Sequence, residues 1–429
     1  METRTLIIGA GLAGMSTAVH LGSDCLVLER GDRPGGLAVT HRQEGYSFDV
    51  TGHWLHMRDP GIRTRFGGLA GMRSIRRQSK IFSRGRLVAY PYQSNLKDLP
   101  PEVIVECVLG ALEAHTRREQ GQPEPEGFEP FVLHHFGRPI ADEFMFPYNT
   151  KLWGVPPSGI SHAWCQRFVP VPDFRQILVG ALTDENERSG YNATFSYPEQ
   201  GGIAAFSDAI AALVPEIRYN AQVVRVHAAE KWVELATGER IAYRHLVSTM
   251  PLDRLARCLV DTPDDVLAAA GRLQCTSLSY LDLGLDRKVM NGLHWLYLPD
   301  PAVQPYRLGC YSNACESMAP PGCSSLYVEL SAGREPDVGS AVSETLGILS
   351  QVGEPVSESN VKVCTVRRIE HAYVVYDQSY EGARSTVLGH VASCGIRSIG
   401  RYGKWVYEAM EDALVDGRKT ALAIQGEDS

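Results

Sequence analysis

Thr5-Leu6-Ile7-Ile8-Gly9-Ala10-Gly11-Leu12-Ala13-Gly14 is the stretch that decides the fold. Thr5 and the three apolar residues after it read as a buried strand. Three glycines follow at G-x-G-x-x-G spacing, and the pattern then turns helical to about Leu21. Cys25-Leu26-Val27-Leu28 reads as a second strand ending in Glu29, an acid 20 residues after the first glycine. Strand, glycine turn, helix and acid together form the dinucleotide fingerprint. Gly9 permits the tight turn, Gly11 lets the backbone approach a pyrophosphate, and Gly14 lets the helix pack on the sheet. The helix N-terminus at Leu12 and Ala13 turns its N–H groups toward phosphate. Glu29, followed by Arg30, is expected to accept both ribose hydroxyls. The bland alternative is a glycine-rich turn with no ligand.

Working outward, the chain has 429 residues, which at roughly 150 per domain suggests two to three domains. Hydrophobic residues make up 44% and charged residues 21%, which excludes disorder and fibrous repeats. The net charge of −8 leaves no global basic footprint, so no nucleic-acid partner is expected. An anionic small molecule would need a local cationic pocket. The ten cysteines show no CxxC or Cys/His spacing suited to zinc, so no metal is expected and the thiols read as those of a cytoplasmic protein. No apolar run reaches 18 residues, so no membrane span is expected. Leu6–Leu21 imitates a signal peptide, but its glycine spacing belongs to the nucleotide turn.

The segments that follow choose between dinucleotides. Arg33-Pro34-Gly35-Gly36-Leu37 is similar to a stretch that runs beneath FAD in flavoproteins of the amine-oxidase type. Phe48-Asp49-Val50-Thr51-Gly52-His53 resembles their Phe-Asp-x-Gly-Gly loop, which reaches the isoalloxazine. Gln222–Val226 reads as a strand whose Val223 could touch the adenine, and His245–Met250 resembles the strand closing the FAD sheet. Ile399-Gly400-Arg401-Tyr402-Gly403 opens a helix that could meet the flavin's distal end. The resemblance implies noncovalent FAD in a discontinuous Rossmann-type domain of residues 1–60, 200–250 and 385–429. A mostly helical domain is expected over 95–199, interrupted by the loop Gly121–Gly127. An antiparallel sheet domain is expected from 61–94 and 251–384, with alternating runs at Ser277–Leu285, Trp295–Leu298, Ser325–Ser331 and Val361–Val366. The fold class is α/β.

Further islands resemble the UDP-galactopyranose mutase family, its eukaryotic-type branch above all. They include Tyr90-Pro91-Tyr92-Gln93-Ser94-Asn95-Leu96 and Pro147-Tyr148-Asn149-Thr150-Lys151-Leu152-Trp153. Trp164-Cys165-Gln166-Arg167, Asn192-Ala193-Thr194-Phe195, Trp295-Leu296-Tyr297, Pro305-Tyr306-Arg307, His371-Ala372-Tyr373 and Gly400–Glu408 follow in the family's order. The resemblance implies an isomerase that interconverts the pyranose and furanose forms of a nucleotide sugar. N5 of reduced flavin attacks the anomeric carbon and expels the nucleoside diphosphate; an N5–sugar adduct carries the ring opening, with no net redox change. NADPH or NADH is implied as the activating reductant. Arg167 and Arg307 are implied as the diphosphate clamp, with Tyr297, Tyr373 and Tyr407 as hydroxyl donors. Tyr90 and Gln93 are implied at the nucleobase, with Asn149, Trp153 and Asn192 at the sugar. Gly52 and His53 are implied beside the flavin, and Trp164–Val171 and Ser189–Phe195 as flaps.

The chain departs from that pattern at three places. Thr51 stands where the family has a glycine. His56 stands where an aromatic stacks on uracil, which puts the base in doubt. Ala409–Ala413 lacks the family's Gly-Asn-Gln-Asp-His run. UDP-galactopyranose is therefore one candidate among related nucleotide sugars. Two other readings share the FAD domain: an oxidoreductase of the amine-oxidase or desaturase type, and a flavin-binding protein without catalysis. Sequence leaves the oligomeric state open.

Overall fold

The structure is a computed structural model, which describes residues 2–22, 24–162, 164–165, 169–184, 193–353 and 355–427. Its first sheet grows from the opening strand, Glu2–Ile8. That strand pairs in parallel with Cys25–Leu28 on one side and Arg240–Ser248 on the other. Ile217–Arg218 extends one edge in parallel, and the antiparallel strands Trp232–Leu235 and Val223–His227 extend the other. Ile396–Ser398 pairs in parallel with the end of Arg240–Ser248. Near-continuous apolar strands suit a parallel sheet covered on both faces. The Leu12–Leu21 helix lies on the opening strand and is crossed by Met410–Glu427. This crossing is close because position 417 is glycine: a Cβ there would come within 2.5 Å of Ala13 O. Ser16 Oγ reaches across it to donate to Leu414 O at 2.6 Å.

The second sheet has the strand order Val361–Val374, Cys275–Leu285, Ser324–Leu330, Pro305–Cys310, Trp295–Tyr297, Ser79–Ser83, Arg86–Ala89. It is antiparallel except at one join, since Trp295–Tyr297 runs parallel to Ser79–Ser83. The two segments are far apart in the chain and are not joined by a hairpin, so nothing local forces the antiparallel sense. Three helices, Leu252–Cys258, Asp264–Arg272 and Val338–Val352, interrupt the stretch expected to be sheet. Thr194–Pro198 leaves the helical region and pairs with Met72–Arg76. Its alternation explains this: Phe195 and Tyr197 are buried on one face.

The helical region holds Pro101–Glu119, Phe128–Ile140, Phe146–Trp153 and Phe174–Leu182. Residues 166–168 and 185–192, and with them Arg167 and Asn192, lie outside the described residues. The middle of the expected flap Trp164–Val171 and the first part of the expected flap Ser189–Phe195 fall there. No helix among the described residues is long and apolar enough to cross a membrane.

Candidate active site

The glycines of the opening turn do the separate tasks their spacing implies. Gly9 has φ +99°, and a Cβ there would lie 2.1 Å from Thr249 Oγ1. At Gly14 a Cβ would lie 2.0 Å from Gly9 O, so only glycine lets helix and strand approach this closely. Gly11 is different. It has ordinary φ/ψ at the start of the helix, and a Cβ would meet nothing within 4 Å. The space over the helix N-terminus is open, as a phosphate requires. Gly35 and Gly36 close in beside it at φ +107° and +64°: Gly35 N donates to Ala10 O at 2.8 Å, and a Cβ on Gly36 would be 3.3 Å from Gly11 Cα. Leu12 and Ala13 are buried and Leu37 is half-buried. The Glu29 carboxylate sits at the mouth of the turn, accepting from Ala10 N and Gly31 N, each at 2.8 Å, while Arg30 is exposed beside it. Val223 is buried at the head of its strand. Gly400, at φ +74°, brings its short helix against Ala13 and donates its N–H to Asp416 at 3.1 Å.

A cavity adjoins this cradle, and sheet register builds one wall of it. Tyr297 pairs with Arg307, Arg307 with Glu329, and Glu329 with Tyr280, so these four residues stand in one row on one face. Arg307 donates from Nε and one Nη to the two oxygens of Glu329 at 2.5 and 2.6 Å, and from the same Nη to Tyr373 Oη at 3.3 Å. Glu329 is fully buried, whereas the Arg307 side chain keeps 21% of its exposure. Burial works against the arginine's charge, but the facing carboxylate and the surrounding tyrosines together more than offset this, so Arg307 stays cationic.

The row two residues along carries Trp295, Gly309 and Tyr327. Position 309 must be glycine, because a Cβ would lie 1.9 Å from the Tyr327 ring. Tyr327 thereby backs Gly52, where a Cβ would be 2.7 Å from Tyr327 Oη. Thr51 adopts φ +59°, a costly region for a β-branched residue, and Tyr311 Oη holds the turn by donating to the carbonyls of Asp49 and Thr51 at 2.7 and 3.0 Å. His53 follows. Burial, with the nearby Arg401 and Arg307 cations, draws its pKa down to about 4, so its ring is neutral, and its Nδ1 has no hydrogen-bond partner among the described residues. The loop is therefore the joint between cradle and cavity.

The opposite wall comes from the Phe146–Trp153 helix. Tyr148, Asn149, Leu152 and Trp153 lie on one helical face and line the cavity. Asn149 Nδ2 donates to Met145 O at 2.7 Å, and buried Trp153 Nε1 has no partner among the described residues. Lys151 projects from the other side of the helix. Its Nζ donates to the carbonyls of Leu298, Asp300 and Pro305 at 2.9, 2.8 and 2.7 Å, and burial draws its pKa down to about 7. Those carbonyls flank the turn between Tyr297 and Arg307, so one helix supplies ligand-facing groups and fixes the opposite wall. Tyr90 stacks on Tyr297 at 4.9 Å, and Gln93 is fixed by a 2.7 Å bond to Pro170 O. Arg401 lies over Tyr373 and Tyr407 at 5.2 and 4.8 Å, and its Nε is buried without a partner. The Tyr373 hydroxyl is pushed up to about 12 by burial and stays a proton donor.

Of the residues expected from sequence, the structure gathers Tyr90, Gln93, Asn149, Trp153, Tyr297, Arg307, Tyr373 and Tyr407 around this cavity. His56 is not among its lining residues: its Nδ1 lies 2.8 Å from Thr194 O. Glu329, Lys151, Phe144 and Tyr148 were missed as site residues. Lys151 and Tyr148 sit inside a quoted motif, whereas Glu329 had no local signal, since its pairing with Arg307 comes from strand register.

The fold and site are those of a flavoprotein, and comparison with known proteins agrees. The chain belongs to the family of flavin-containing amine oxidoreductases, whose sequence model matches residues 12–424. Within that fold its likeness to the crystal structure of reduced UDP-galactopyranose mutase is high: TM-score 0.90 and 27% identity, covering 100% of this chain and 94% of that one. A putrescine oxidase variant shares the fold at TM-score 0.67 and 15% identity, covering 99% of each chain. Coproporphyrinogen III oxidase of Staphylococcus aureus (strain NCTC 8325 / PS 47) is 22% identical over 290 residues, 58% of this chain and 61% of that protein.

Proposed function

We propose that this chain is a flavin-dependent nucleotide-sugar mutase that interconverts pyranose and furanose forms, acting on UDP-galactopyranose or a relative. The observation that carries this reading is Arg307: a half-buried cation paired to the fully buried Glu329, with guanidinium still exposed to a cavity of tyrosines, amides and Trp153. The full-length likeness to UDP-galactopyranose mutase supports it. The residues present fit FAD: open space over Gly11 for the pyrophosphate, Glu29 for the ribose, and the orphaned His53 Nδ1 and Arg401 Nε for polar edges of the ring. When bound and reduced, flavin supplies a nucleophilic nitrogen; a reduced nicotinamide is the natural source of its electrons.

The chain's own residues supply the rest. Arg307, with Arg167, holds the diphosphate, and charge-assisted bonds of this kind are each worth about 1.5–3 kcal/mol. Because the leaving diphosphate must return, the clamp retains it rather than releasing it. Tyr297, Tyr373 and Tyr407 donate hydroxyls to the phosphates. Tyr90 and Gln93 receive the base. Asn149, Trp153 and Asn192 orient the sugar, and the apolar parts of the aromatic walls exclude water that would hydrolyse it. His53, neutral and buried, shapes the flavin side.

The oxidoreductase reading rests on the family, but a protonated amine would meet the Arg307 cation in this cavity, with Arg401 behind Tyr373 and Tyr407. The test is direct. The protein is photoreduced without oxygen, incubated with a panel of nucleotide sugars, and the products are separated. Furanose product from one of them is the expected result. No isomer from any, with flavin reduction by an amine instead, would replace the mutase by an oxidase.

A further inference from the structure

The loop Gly121–Gly127 and the helix after it carry a cluster whose residues do not line the cavity. Glu124, from the loop, is brought back onto the Phe128–Ile140 helix against His134 and His135. The ligating atoms of the three residues lie within 4.8 Å of one another. His135 Nε2 is 2.8 Å from one oxygen of Glu124, and His134 Nε2 is 3.5 Å from the other. His134 is the unusual member. Its side chain is only 4% exposed, its Nδ1 has no hydrogen-bond partner among the described residues, and its Nε2 points at the carboxylate from beyond good hydrogen-bond range. Buried imidazoles normally satisfy at least one ring nitrogen. Arg118 fixes the backbone beneath the pair by donating to the carbonyls of His134 and His135.

We propose that Glu124, His134 and His135 form a binding site for a divalent ion of the zinc type. Two imidazoles and one carboxylate are a set zinc accepts, with a fourth position left for water. A transition ion on His134 Nε2 would replace its long contact to Glu124, and would displace the proton that His135 now donates to that carboxylate. The ion would clasp the Gly121–Gly127 connection to a helix that leads through residues 141–145 to Asn149 and Trp153. Spacing rules miss the site because adjacent histidines on a helix, with the third ligand on a preceding loop, match no standard finger pattern.

The test uses tag-free full-length protein carrying its flavin, titrated with Zn2+ against a chromophoric chelator. One ion per chain is expected, with the midpoint of thermal unfolding rising on binding. Glu124→Gln and His135→Asn, both at accessible positions, are expected to weaken binding more than about tenfold, a loss that outer-shell partners alone can cause. Co2+ in place of Zn2+ is expected to show no thiolate charge-transfer band. Binding that is absent in the parent, or unchanged in both variants, or carried by cysteine in the Co2+ spectrum, would overturn the proposal.

Discussion

The cofactor cradle and the cavity beside it are made by different means. In the cradle, recognition lies in backbone: Gly9 and Gly14 are demanded by contacts of 2.1 and 2.0 Å, and Gly11 by the space it leaves. In the cavity, recognition lies in side chains that strand register and one helix face bring together from distant segments. A backbone site must be written locally, within one strand, turn and helix. A side-chain site can be distributed, and its stability depends on how each buried charge is paired.

That contrast can be tested, and the largest effect belongs to the cavity. Arg307→Ala strands a fully buried Glu329, and breaking such a pair costs about 3–5 kcal/mol. Denaturant unfolding should show this loss. A double variant, Arg307→Met with Glu329→Leu, should regain most of the stability yet still fail to bind nucleotide sugar in calorimetry. Parent-like binding would place Arg307 outside the ligand site.

The cradle should separate folding from cofactor binding. Gly14→Ala forces a Cβ into Gly9 O and should destabilise by about 1–3 kcal/mol as well as lose flavin. Gly11→Ala meets no protein atom, so the apoprotein should melt like the parent while flavin content falls. Equal effects from both substitutions would remove the distinction.

Where the two regions join, effects become small. Thr51→Gly relieves a left-handed conformation costing about 1–2 kcal/mol but adds chain entropy of about 0.5–1, so a net gain below about 1.5 kcal/mol is expected in unfolding measurements. A loss would show that the threonine side chain is itself needed. His53 gives the smallest signal at neutral pH. Its folded pKa, about 4, lies below the free value, so the unfolded chain binds the proton first. Its contribution to stability is complete above about pH 6.5 and is lost as pH falls through about 4. His53→Gln should therefore narrow the gap between melting temperatures at pH 7 and pH 4.5, and leave the shape of the activity profile between about pH 5 and 8 unchanged.

The same contrast explains what the sequence made legible. The opening strand, turn and helix were readable because each glycine reports a steric need inside a short window. The Leu12–Leu21 helix and the Cys25–Leu28 strand fall at their expected places. The cavity was readable only through resemblance. Nothing in Arg307 alone says that Glu329 will stand opposite it, since register is fixed by burial across seven strands. The parallel join of Trp295–Tyr297 to Ser79–Ser83 has no local signal either. Lys151 lay within a quoted motif, but its task of pinning the Tyr297–Arg307 turn needs the fold to be seen. His56 matched a family position, yet its ring is engaged with Thr194 O and does not line the cavity.

Electron bookkeeping tests the central claim most directly. The flavin is reduced once under nitrogen, excess nucleotide sugar is added, and isomerised product is counted against reducing equivalents supplied. The account predicts many product molecules per flavin, with the flavin still reduced at the end and none formed by the oxidised protein. Product that tracks nicotinamide oxidation or oxygen uptake one for one would contradict it and make this chain an oxidoreductase.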